Sequence, residues 1–112
     1  MTSGLSRIDV ENREMRKTLE SFNRDIDAWL CVRSINKQIR SIFESFREEI
    51  DSWFYVYYNK KFRDMDRKNM EMFKILQQFR DKIRLLLLVE EINNKNLLNT
   101  LNSFLIEIDS WL

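Results

Sequence analysis

A chain of 112 residues with 44% hydrophobic and 33% charged residues has the balance of a globular protein and fits one domain, 1–112. It contains no His and one Cys, which removes the commonest general base, the commonest zinc ligand, any intramolecular disulfide and any cysteine metal cluster. The formal net charge is only +1, which argues against a dedicated nucleic-acid binder, and with no Pro and one Gly the chain favours long helices over tight turns.

In chain order, Leu5, Ile8, Met15, Leu19, Phe22, Ile26 and Trp29 step by threes and fours, with Asn12 as the polar intruder. That spacing is one face of an α-helix and predicts a helix over about 5–32. Ser34 is the candidate N-cap of a second helix over 35–58, whose stripe is Ile39, Phe43, Phe46, Ile50, Trp53 and Tyr57. Phe22 and Phe46 are not a whole number of heptads apart, so one straight helix would turn the second stripe away from the first. A hairpin turn near 31–34 restores a common core and is preferred over a continuous helix. Cys31 falls in this apolar stretch and is expected to be a buried structural thiol.

The third stripe, Phe62, Met65, Met72, Leu76, Phe79, Ile83 and Leu86, is out of frame with the second and predicts a helix over 62–89 after a break near 59–61. The Asn-rich stretch 90–96 marks the next boundary, because Asn side chains bond nearby backbone amides. Leu97, Leu101, Phe104, Ile108 and Trp111 then predict a helix over 96–112. Four helices with short connections imply an all-α, antiparallel up-down bundle, with completion by dimerisation as the competing architecture.

Residues 19–30, 43–54 and 101–112 share the pattern apolar-x-Ser-Phe-x-x-x-Ile-Asp-x-Trp-apolar. A fourth copy, Leu76, Phe79, Ile83 and Leu86, keeps the steps and loses the Asp and Trp. Fully burying each Phe, Ile or Trp contributes about 2–3 kcal/mol, so the pattern reads first as a packing unit. Asp27, Asp51 and Asp109 precede their Trp by two positions and point away from the stripe. They are either solvated or a repeated docking surface for a basic partner.

The segment Phe22-Asn-Arg-Asp-Ile-Asp-Ala-Trp-Leu30 is similar to the first-helix motif of spectrin-type repeats. The resemblance implies a helical scaffold. That family carries one such motif early in each three-helix repeat, whereas this chain has three, late in their helices, so membership is not assigned.

Six consecutive apolar or aromatic residues, 53–58, cover the whole circumference of a helix, although a bundle helix needs cover on only part of it. Leu85, Leu87 and Leu88 repeat the excess beside stripe residue Leu86. Trp53, Phe54, Tyr55, Tyr57, Tyr58 and Phe62, with Leu85, Leu87 and Leu88, are therefore the candidate surface for a protein partner or for a second copy. Residues 59–84 hold nine Lys or Arg against four acids, an excess of five. Lys60, Lys61, Arg63, Arg67 and Lys68, beside Tyr57 and Tyr58, form the alternative candidate, a nucleic-acid surface in a helical subunit or a small viral or mobile-element regulator.

Carboxylate-bridged metal bundles pair Glu with Glu-x-x-His, and the chain has no His. Neither a phosphate loop nor a nucleophile with its base is visible, so the reading is non-enzymatic, without cofactor or metal. The run 85–89 is too short to span a bilayer and the first 20 residues lack a signal-peptide apolar core. An intracellular, cytoplasmic protein is expected.

Overall fold

The turn between the first two stripes makes them separate helices. The computed structural model describes residues 7–59 and 62–112, with side chains from Val10 onward except those of Phe62 and Arg63. The described residues form four helices and no strand: α1 Arg7–Leu30, α2 Lys37–Tyr58, α3 Phe62–Val89 and α4 Lys95–Trp111. Leu5 and the side chains of Ile8 and Phe62, expected in the stripes, lie outside the described residues.

Side chains set the helix ends. Asn36, not Ser34, caps α2: its side-chain oxygen accepts from the Gln38 amide at 2.7 Å. The cap lies two residues later than expected because an Asn amide oxygen serves the N-terminal N–H groups as well as a Ser hydroxyl does. Asn94 does the same for α4, accepting from the Leu97 amide at 3.1 Å. At the end of α1 the Arg40 guanidinium donates to the carbonyls of Leu30 and Val32, at 3.0 and 2.9 Å. A basic side chain thereby satisfies carbonyls that the helix end leaves open.

Each helix packs against its sequence neighbours, and α1 also packs against α4, closing a ring 54 Å long and 24 by 20 Å across. The Phe of all four pattern copies meets at its middle. Phe46 stacks on Phe79 at 3.9 Å, Phe79 lies 5.8 Å from Phe104, Phe104 4.9 Å from Phe22, and Phe22 5.8 Å from Phe46. Phe43 fills the remaining space against Phe79 and Phe104. Above and below this layer Leu19, Ile26, Ile50, Leu76, Ile83, Leu101 and Ile108 are fully buried.

The two halves of the ring are alike. Asn12 and Asn69, Met15 and Met72, Leu19 and Leu76, Phe22 and Phe79, and Ile26 and Ile83 are each 57 positions apart. Asn36 and Asn94, Phe46 and Phe104, Ile50 and Ile108, Asp51 and Asp109, and Trp53 and Trp111 are each 58 apart. The larger repeating unit is thus a helical hairpin, α1–α2 followed by α3–α4. The equivalent Asn residues meet: Asn69 donates its side-chain N–H to Asn12 Oδ1 at 2.6 Å and accepts the Trp53 indole N–H at 2.8 Å. Asn12 is buried, so its intrusion into the apolar stripe is matched by a partner.

Candidate interaction surfaces

The aromatic run of α2 is divided by the bundle. Trp53 is 0% exposed and is a core residue, stacked at 5.0 Å on Tyr57. This corrects its expected place on a partner surface: the pattern puts it on the stripe, and Asn69 satisfies its indole N–H where solvent or a partner otherwise would. Phe54, Val56 and Tyr57 are half-buried against the core. Tyr55 and Tyr58 face outward, 63% and 61% exposed, and the Tyr58 hydroxyl donates to Glu20 of α1 at 3.3 Å.

The Leu run divides the same way. Leu86 is core, Leu87 packs partly against it, and Leu85 and Leu88 are exposed, Leu88 at 83%. The two candidate patches do not merge. Tyr55 and Tyr58 end α2 beside the start of α3, whereas Leu85 and Leu88 end α3, about 35 Å further along that helix.

The other pattern tryptophans are half-buried, with their N–H groups paired to hydroxyls. Trp29 donates to Thr100 and Trp111 to Thr18, both at 3.2 Å. The pattern aspartates tie neighbouring helices together. Asp27 pairs with Arg47 at 3.1 Å, Asp51 accepts from Asn23 at 3.2 Å, and Asp109 takes Arg80 and Arg84 at 3.4 and 3.2 Å. They sit at the rim between helices rather than on the face opposite the stripe, and each already has a partner within the chain.

Of the basic candidates, Lys60, Lys61 and the side chain of Arg63 lie outside the described residues. Lys68 bridges Ser52 at 2.8 Å and Glu71 at 3.4 Å, and Arg67 lies 3.8 Å from Glu71. Among the described residues no group of three or more Cys, Asp or Glu is placed to hold a metal ion, and no helix is long and apolar enough to cross a membrane.

The chain matches no family model, no curated protein and no solved structure with which it was compared. Its own two hairpins therefore supply the comparison. Their cores agree, but their outer faces do not. Where the first hairpin carries Ala28, Cys31, Arg40, Arg47 and Glu48, the second carries Leu85, Leu88, Leu98, Leu105 and Ile106. Ile106 is 73% exposed and was not singled out by spacing. The signal for it is the adjacent run Phe104-Leu105-Ile106, which wraps apolar cover beyond the stripe as residues 53–58 and 85–89 do.

Cys31 is exposed, not buried as expected. Helix α1 stops at Leu30, one residue short of it, so Cys31 enters the turn and leaves the stripe. The native protein is expected to react fully with a thiol reagent such as Ellman's reagent in seconds to minutes. Reaction that waits for denaturant would return Cys31 to the interior.

Proposed function

We propose that the protein is a non-enzymatic interaction and assembly module, acting inside the cell by presenting helix faces to a protein partner or to another copy of itself. The observation that carries this reading is the outward exposure of Leu85, Leu88, Val89 and Ile106 on a bundle whose apolar stripes are already covered. Exposed side chains of this kind cost solubility, and contiguous apolar surface on a folded chain marks a contact surface. One unpaired Cys suits a reducing compartment. The nucleic-acid alternative rests on Lys60, Lys61, Arg63, Arg67 and Lys68.

Salt separates the two readings. Light scattering of the chain across concentration at two salt levels, beside titration with a mixed-sequence single-stranded oligonucleotide, is the test. Apolar association holds or strengthens with salt, whereas phosphate contacts weaken steeply. Oligonucleotide binding that collapses with salt and disappears in Lys60→Glu/Lys61→Glu would overturn the assembly reading. Absence of oligonucleotide binding, with any association insensitive to salt, supports it.

A further inference from the structure

We infer that the outer face of the α3–α4 hairpin is a self-complementary surface on which a second copy of this chain docks through the same face, giving a closed two-fold dimer. The inference rests on the assembly reading above and names its partner and its surface.

The Arg84–Asp109 bridge, 3.2 Å long, spans α3 and α4 on their outer side and marks where the face lies. Leu88 is four residues after Arg84 and therefore shares its side of α3. Ile106 and Leu105 lie three and four residues before Asp109, and Leu98 one heptad before Leu105, so all three share its side of α4. Leu88 and Ile106 project into solvent, while Leu98 and Leu105 are partly covered and floor the groove between the helices. Leu85 and Val89 extend the apolar surface around the end of α3.

The first hairpin shows that this surface is not a requirement of the fold. It has the same stripes, N-cap and pattern, yet places Cys31, Arg40, Arg47 and Glu48 at the equivalent positions. Arg40 and Arg47 there hold the helix end and Asp27. The second hairpin carries Leu and Ile where the first carries charge, while its core stays apolar.

Charge selects the occupant. The apolar face carries Arg80, Arg84, Asp81 and Asp109 as one linked set, two cations and two anions and neutral as a unit, so two copies meet without like-charge repulsion. Docked instead on the first hairpin of a neighbour, the face would desolvate Glu48 together with the Arg47–Asp27 bridge against Leu and Ile, which is costly. The head-to-tail arrangement that would build filaments is thereby disfavoured, and the isologous one closes. Helix α4 is about 25 Å long and two helices side by side are about 20 Å wide, a projected face of about 500 Å² per copy, or about 1,000 Å² over both, which is the lower bound for a specific interface.

The test uses the full chain. Sedimentation velocity across concentration should give a dimer, and Leu88→Glu/Ile106→Glu should weaken it by roughly a hundredfold or more with unchanged helical circular dichroism. The matched change on the first hairpin, Glu48→Lys, should leave the mass as it is. In a Cys31→Ser background, Asn102→Cys on α4 should oxidise to a covalent dimer, and its first-hairpin equivalent Glu44→Cys should not. A wild-type dimer that survives the Glu variants overturns this face while leaving self-assembly standing. A wild-type monomer at every concentration overturns the second copy as occupant and leaves only a foreign protein for the assembly reading.

Discussion

Replacing Phe104 by Ala is expected to remove about 3–5 kcal/mol of stability. Its ring touches Phe22, Phe43 and Phe79, on all three other helices, at 4.9 to 5.9 Å. The cost has two parts. The lost apolar burial accounts for about 2–3 kcal/mol, and the rest is a cavity that cannot collapse, because its walls belong to four helices already in contact around the ring. A chain of this size holds about 5–15 kcal/mol in total, so the variant should lose about a fifth or more of its stability in urea unfolding. Phe104→Leu, which keeps most of the volume, should recover the greater part of it. The outward-facing Met70→Ala on α3, at a side chain 65% exposed, should shift stability by about 0.5 kcal/mol or less. Equal losses at Phe104 and Met70 would mean that the layer of Phe rings is not the centre of the core.

That layer was legible in the sequence, because burial in a bundle follows helical period and the pattern carries the period in its own spacing. Leu19, Phe22, Ile26 and their equivalents in the other helices are buried as the steps require. The same logic explains what was not legible. Period places Trp53 on the stripe but does not say that an Asn on another helix will take its N–H. The polar intruder Asn12 was visible, whereas Asn69 was passed over as a gap between Met65 and Met72, because nothing local joins two residues 57 positions apart. Cys31 was misplaced for the opposite reason. Its neighbours Trp29, Leu30 and Val32 are apolar, but where a helix stops is decided by carbonyls that Arg40 reaches from the next helix. Ile106 and Leu98 gained meaning only when the fold put the two hairpins side by side and their outer faces could be compared.

Asn69→Ala is the second large effect, with an expected loss of about 2–4 kcal/mol. The change strands two buried groups at once, the Trp53 indole N–H and the Asn12 side-chain oxygen, and each unsatisfied group costs about 1–3 kcal/mol. Asn12→Ala strands only the Asn69 N–H and should cost less. In the background of Asn69→Ala it should cost almost nothing more, so the pair should be strongly non-additive in a double-mutant cycle. Asn12→Leu/Asn69→Leu/Trp53→Phe, which removes every polar member together, should match or exceed the wild type in denaturation midpoint. What that variant should lose is uniqueness. The stripes of α1 and α3 repeat the same apolar steps, so burial alone fixes their longitudinal register weakly, and a turn-length slip still sets apolar side chains against apolar ones. The Asn pair is satisfied in one register only, as single polar residues set register in coiled coils. The expected signature is a variant with an equal or higher midpoint but broadened amide resonances. A triple variant that is stabilised and still gives one sharp set of resonances would show that the Phe layer, not the Asn pair, sets the register.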